Sequence, residues 1–250
     1  MGSIAGNKKL KRQMAPTFWG INRKEKRFVI TVRPGSHPKN NSIPNAVLLR
    51  DTLKKVKTLR EAKSSIYDGK VKIDGIIQKS LHHSIGLMDV IELEGITDIY
   101  RLVPKDAQIL MPIKIDTAEK SKKLVKVRSK TTNKGGKIQL GFHDGRTIIT
   151  DVNASIDDTC LIQTPDQKIL DVIKLEKNSQ IIITRGVNAG HVGIIKEIKQ
   201  GTLSLIPLGP SSRVLISTCV LIHRDEKSSA SVKAVLSILE NLYSKWPAKS

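Results

Sequence analysis

The chain has 250 residues, with 43 Lys and Arg against 23 Asp and Glu, giving a formal net charge of +20 and a pI near 10.0. That length allows two or three small domains with their own cores, and so large a cationic excess points to a polyphosphate partner that offsets its self-repulsion. Three Phe, three Tyr and two Trp are too few for stacking platforms that read single strands base by base, so phosphates and folded RNA shape are the expected target.

Residues 1–41 read as a basic arm. Lys8, Lys9, Lys11, Arg12, Arg23, Lys24, Lys26, Arg27, Arg33 and Lys39 face a single acid, Glu25, and Pro16, Pro34, Gly35 and Pro38 interrupt any regular element. Phe28–Val32 predicts one short strand. On composition the arm is expected to stay disordered without RNA, although Phe18, Trp19 and Ile21 point to a segment that packs onto something. The first residues lack the apolar run of a secretory signal, and Gly6 stands where a myristoylation motif needs Ser or Thr.

Residues 42–106 read as an α/β module. Ser42 is a candidate cap, and Pro44 suits a first helical turn. Leu49, Leu53 and Val56 follow helical spacing, with Arg50, Lys54 and Lys57 one position on. Thr58 to Glu61 reads as a capping box opening a second helix that ends near Tyr67. Lys70–Ile73 is a strand, Asp74-Gly75 a hairpin turn, Ile76-Ile77 the return, and Met88–Leu93 a further strand.

Residues 107–172 read as mostly β. The runs are Val125–Arg128, Ile138–Leu140 and Thr147–Ile149, with turns at Gly135-Gly136 and Asp144-Gly145. Lys120, Lys122, Lys123, Lys126, Arg128, Lys130, Lys134 and Lys137 concentrate charge in the first half. Residues 173–225 alternate β-branched and polar residues (Gln180–Thr184, Gly193–Ile195, Leu203–Ile206, Val214–Ile216), which predicts a small barrel. In 226–250, an amphipathic helix is expected over 231–246. Val232, Val235, Leu236, Leu239, Leu242, Tyr243 and Trp246 lie on one face, Ser231 caps it and Pro247 stops it.

No stretch is long and apolar enough to span a bilayer, the longest being Val214–Ile222. Cys160 and Cys219 lack CxxC spacing and a neighbouring His, and read as two reduced small hydrophobes of an intracellular, by default cytoplasmic, protein. His82-His83 lacks metal-ligand spacing, His37, His143, His191 and His223 are scattered, and Asp157-Asp158 reads as a turn. With no GxxxxGK[ST], GxSxG or HExxH, the expectation is no catalytic residue, metal, cofactor or small-molecule substrate.

Leu59-Arg60-Glu61-Ala62-Lys63, Asp68 to Gly75 and Gly86 to Ile91 resemble the RNA-binding domain named after bacterial small-subunit ribosomal protein four. That family presents two helices and a hairpin to RNA, and Arg50, Lys54, Lys57, Arg60 and Lys63 would form one basic surface beside the hairpin. Met88 stands before Asp89 where that family often has Gly. Gly186-Val187-Asn188-Ala189-Gly190-His191-Val192-Gly193-Ile194-Ile195 resembles the KOW motif, carried on an SH3-like barrel. There, bare backbone N–H groups with Arg185, Asn188 and His191 would meet a phosphate or a neighbouring protein.

Together with Lys8-Lys9-Leu10-Lys11-Arg12, Ala15-Pro16, Trp19, Val32-Arg33-Pro34-Gly35, His37-Pro38, Ile43-Pro44 and Leu48 to Asp51, the order resembles small-subunit ribosomal protein four of the archaeal and eukaryotic (e) type, more archaeal than eukaryotic. The resemblance spans roughly residues 5–225. It implies an α+β, multi-domain structural constituent of the small ribosomal subunit. Its partners would be small-subunit ribosomal RNA and neighbouring ribosomal proteins, with no membrane. Candidate RNA-binding residues are Lys8, Lys9, Lys11, Arg12, Trp19 and Arg33 in the arm. To these are added Arg50, Lys54, Lys57, Arg60, Lys63, Lys70 and Lys72 in the module, and Arg185, Asn188 and His191 in the KOW loop. Gly75, Gly186, Gly190 and Gly193 are candidate structural glycines. A free KOW-bearing transcription or RNA-handling factor is the alternative, and an RNA-modifying enzyme a third reading, for which residues 107–172 leave little room.

Overall fold

The computed structural model describes residues 10–22, 24, 25, 27–105, 108–199, 201–206 and 213–223. The helix expected over 231–246 lies outside them.

The arm opens with β1 (Leu10–Lys11) paired antiparallel to β2 (Phe28–Val29), shorter than the five-residue strand expected. Leu10, Ala15, Trp19, Ile21 and Val29 are buried in one cluster with Leu48, Leu49, Ala62, Ile66, Ile91 and Leu102 of the following module. For the described residues between Leu10 and Asn41, this departs from the expectation of a disordered arm. The arm needs no core of its own, because the module presents an apolar surface that its few large side chains complete. Full burial of each such side chain is worth about 1.5–3 kcal/mol.

Next come β3 (Ile43–Pro44) and α1, an α-turn at Asn45–Val47 that widens into a π-turn over Leu48–Thr52. Here the expected helix is both late and short. Ser42 and Pro44 precede it in extended backbone, and the chain leaves it before Lys54, whose φ is 52°. α2 (Leu59–Tyr67) starts at the expected capping box, with Thr58 Oγ1 accepting from Glu61 N–H at 3.2 Å and Glu61 accepting from Thr58 N–H.

The first sheet follows as β4 (Val71–Ile73), β5 (Ile76–Ile77), β7 (Val90–Leu93), β8 (Ile99–Lys105) and β9 (Gln108–Ile115), in the order β5-β4-β7-β8-β9. Between them β6 (Ser84–Ile85) pairs with β3. Asp74 (φ 51°) and Gly75 (φ 79°) make the expected hairpin turn. The boundary expected at 106/107 is corrected: β8 and β9 are antiparallel partners, so it would cut a hairpin that belongs to the first sheet.

The second sheet is β10 (Lys122–Thr132), β11 (Ile138–Phe142), β12 (Thr147–Thr150), β13 (Thr159–Gln163) and β14 (Lys168–Ile173), ordered β12-β11-β10-β13-β14. The third is β15 (Gln180–Ile183), β16 (Val192–Lys199), β17 (Thr202–Ile206), β18 (Arg213–Leu215) and β19 (Cys219–His223), ordered β18-β17-β16-β15-β19. All their pairings are antiparallel.

Strand alternation divides β13 between two cores. Leu161 joins Ile181, Ile183, Leu205 and Val220 of the third sheet, together with Val103 and Ile113 of the first and Met88 just before β7, while Cys160 and Ile162 face Val125, Val127 and Phe142. The three sheets therefore share apolar contacts. Among the described residues there are nineteen strands and two α-helices, so the mixed fold is dominated by β structure.

Candidate nucleic-acid interface

The candidate cations separate by what their side chains already hold. On α2, Ala62 and Ile66 face inward, while Arg60, Lys63 and Tyr67 lie outside at i, i+3, i+7, with Lys63 Nζ 5.6 Å from the Tyr67 ring centre. Lys54 and Lys57 are exposed in the loop before α2 rather than on a shared helical face. The backbone N–H of Lys57, with those of Thr58, holds the Glu61 carboxyl below its ordinary pKa, so the acid beside these cations is spent on the cap. Lys72 is exposed on β4, and Lys70 sits 3.5 Å from Asp68 with both half exposed.

Three candidates have their polar groups engaged within the fold. Arg50 is locked to Asp51 by two bonds, Nε to Oδ1 at 2.9 Å and Nη2 to Oδ2 at 2.6 Å, with its side chain 8% exposed. Trp19 is fully buried and donates its indole N–H to Ser42 O at 2.8 Å. The Arg12 guanidinium donates to Ile21 O. All three fasten the arm and module internally. Lys11 and Arg33 are exposed, and Lys8 and Lys9 lie outside the described residues.

The β15–β16 loop folds back on itself. Gly186 (φ 94°) and Gly190 (φ 90°) take left-handed backbone. Ala189 N–H donates to Gly186 O, Gly190 N–H to Ile183 O at 2.7 Å, and His191 N–H to Asn188 O. The expected bare N–H groups are thus largely committed, and the loop offers side chains instead: Arg185 is exposed and Val187 is 91% exposed at its tip. Gly193 does not shape the turn; it is buried in β16, opposite Ile181.

Between the arm, the first sheet and the second sheet lies a buried ionic cluster that the sequence pattern did not reveal. Lys123, one of the cations concentrated in the first half of residues 107–172, is 1% exposed, and its ammonium meets Asp74 Oδ2 at 2.7 Å, Asp89 Oδ1 at 2.5 Å and Asp144 Oδ2 at 3.2 Å. Burial alone would lower the lysine pKa, but the three carboxylates outweigh it and hold the group above its ordinary value. Arg146 bridges Asp74 and Asp144, and His37 Nε2 lies 3.1 Å from Asp89. Burial would raise the Asp89 pKa, yet Lys123 and His37 keep it well below the ordinary value.

The arm reaches this cluster because Ser36 Oγ bonds Ser84 O and His37 N–H bonds Ser84 Oγ. Lys126, likewise buried, donates to Ile216 O, Cys219 O and Asp157, tying the second sheet to the third. The cysteines are free and buried, with burial pushing their thiols up to about 12 (Cys160) and about 11 (Cys219).

The sequence matches the model of the Ribosomal family S4e over residues 96–169 and that of the RS4NT (NUC023) domain over residues 5–40. It is 39% identical over 212 residues to small ribosomal subunit protein eS4 of Ignicoccus hospitalis, covering 80% of this chain and 83% of that one. It is 37% identical over 198 residues to eS4 of Methanothermobacter thermautotrophicus, covering 79% and 82%. The fold matches the crystal structure of 30S ribosomal protein S4e from Thermoplasma acidophilum with a TM-score of 0.66 and 33% identity, over 75% of this chain and 97% of that one.

Proposed function

The chain belongs to the S4e family of ribosomal proteins, and from that premise we propose how it serves as a structural constituent of the small subunit of the cytoplasmic ribosome. It binds small-subunit ribosomal RNA and adjoining ribosomal proteins through exposed basic surfaces, and it carries out no reaction of its own. The observation that carries this reading is the set Lys54, Lys57, Arg60 and Lys63. All four are exposed around α2, and none closes an ion pair with a described carboxylate. Cations left free in this way contribute little to the fold but gain when they displace counterions from phosphates.

Lys11, Arg33, Lys70 and Lys72 extend the surface. Arg185, Asn188 and His191 form a second contact on the β15–β16 loop, and the third sheet acts as the SH3-like KOW barrel that presents it. A free KOW-bearing factor is not supported by the comparisons.

The test is binding of the purified chain to purified small-subunit ribosomal RNA across a salt series. Affinity should fall log-linearly, with a slope of about 0.9 per phosphate neutralised on duplex geometry. The bound chain should also co-sediment with small subunits through a high-salt wash. A flat salt response, or release at the first wash, would end this reading.

A further inference from the structure

Two hollows adjoin at the junction of arm and sheets, sharing His37, Pro38, Arg128 and His143. One is an open groove of about 610 Å³ between the arm's Arg33–Lys39 segment and the second sheet. The other is a recess of about 120 Å³ with Leu87, Ile109, Leu110 and Val220 in its wall and Arg128 and Arg185 on its border. A single water needs about 10–15 Å³ of such space, so the recess has room for a planar base.

Three features define what it would accept. Arg33, Lys39, Arg128 and Arg185 border the continuous groove, and none is paired with a described carboxylate. The other cationic candidates in the wall are spent: Lys126 is bound to Ile216 O, Cys219 O and Asp157. Meanwhile His143 accepts from Lys126 N–H and donates to Leu87 O, with burial pushing its pKa down to about 4. Asn41 Oδ1 is buried in the same wall with no hydrogen-bond partner among the described residues. That oxygen only accepts. A bare phosphate leaves it unsatisfied, whereas a base amino group or a ribose 2′-hydroxyl satisfies it.

We infer that the recess takes one unpaired nucleotide of RNA. Its base lies against the apolar wall, a donor on base or ribose meets Asn41, and the flanking phosphates run along Arg33, Lys39, Arg128 and Arg185. This rests on the reading of the chain as a ribosomal RNA binder. It adds an unstacked nucleotide, with the recognition such a base permits, to a surface otherwise expected to read phosphates.

The experiment is nucleotide-resolution 2′-hydroxyl acylation of purified small-subunit ribosomal RNA with the full chain bound. It compares the native chain with Thr218→Trp, which fills the recess from its wall, and with Arg128→Glu/Arg185→Glu, both exposed positions. Lys57→Glu/Lys63→Glu, outside the groove, is the control. The native chain should protect one unpaired nucleotide. Thr218→Trp and the arginine pair should each lose that protection with about tenfold weaker binding, and the control should keep it while binding weakens. If the native chain binds RNA and its footprint survives both groove variants, the inference is overturned and the function above stands. If the native chain does not bind the RNA at all, the function itself fails, and the inference with it.

Discussion

Gly86 lies so close to His37 that a Cβ built on it would sit 2.4 Å from the imidazole carbon Cγ. The ring packs flat on bare backbone while its Nε2 lies 3.1 Å from Asp89 Oδ2, the same oxygen that accepts from Gly86 N–H at 2.7 Å. On the opposite side, Gly145 (φ 77°) would place a Cβ 3.0 Å from Ser36 O. The arm is therefore threaded between two glycines, one from the β6–β7 connection and one from the β11–β12 turn.

Gly86→Ala should expel His37 and loosen the arm, with a loss of about 1–3 kcal/mol from overpacking. Urea denaturation gives the magnitude. Limited proteolysis of the free protein should show new cleavage within 10–41 in the variant alone. Equal protection of both proteins would show that the arm is held independently of the His37 contact.

The buried cluster makes a second expectation. Lys123→Met removes the one ammonium shared by Asp74, Asp89 and Asp144 and leaves three carboxylates buried with Arg146. Loss of one member of a buried ion network costs about 3–5 kcal/mol. Lys63→Met, at an exposed helical position, should change stability by less than about 0.5 kcal/mol. If the two variants melt together, the cluster is not holding the sheets.

His143 fixes a pH dependence. Burial lowers its pKa from 6.5 to about 4, so the unfolded chain binds the proton first and stability falls as pH drops from 6.5 toward 4. The loss is on the order of 3 kcal/mol at the low end. His83, whose pKa burial also lowers, adds in the same direction. Melting curves between pH 7 and pH 5 should show a shallower decline for His143→Gln than for the native chain, with a remainder due to His83. Parallel declines would remove His143 from the account.

What the sequence made legible was local. The capping box at Thr58 and Glu61, the Asp74-Gly75 turn and the alternating runs of the third sheet are each specified within a few residues, by hydrogen-bond chemistry or side-chain period. The hairpin of β8 and β9 escaped, because Arg101 and Pro104 break the apolar pattern although both are buried in the structure. The fate of the cations escaped for a different reason. Lys123 and Lys57 look alike in sequence; what separates them is three aspartates, of which Asp74 lies 49 positions away. Likewise Trp19 is a plausible stacking platform until Ser42 O is known to face its indole N–H.

That distinction divides the candidate RNA residues by experiment. Lys57→Ala and Lys63→Ala should each weaken binding to ribosomal RNA and lower the salt slope by about one, with unchanged melting. Arg50→Ala frees Asp51 in a largely buried setting, and Trp19→Ala opens a cavity costing about 3–5 kcal/mol. Both should lose stability. Any fall in RNA affinity they show should disappear once the folded fraction is taken into account. A direct loss of affinity by a fully folded Trp19→Ala protein would return the indole to the interface.

The β15–β16 loop separates shape from contact in the same way. At φ 94° and φ 90°, Gly186 and Gly190 occupy backbone that an L side chain enters only with strain, about 1–2 kcal/mol per residue. A Cβ added at Gly186 would meet nothing within 4 Å, so Gly186→Ala isolates the backbone penalty from any clash. Each glycine variant should lower the melting temperature of the chain. Arg185→Ala, at an exposed position outside the loop's hydrogen bonds, should leave melting unchanged and reduce retention on salt-washed small subunits. If Arg185→Ala and Asn188→Ala both remain bound through the wash, the loop serves only to join β15 to β16. Attachment to the subunit then rests on the cations around α2.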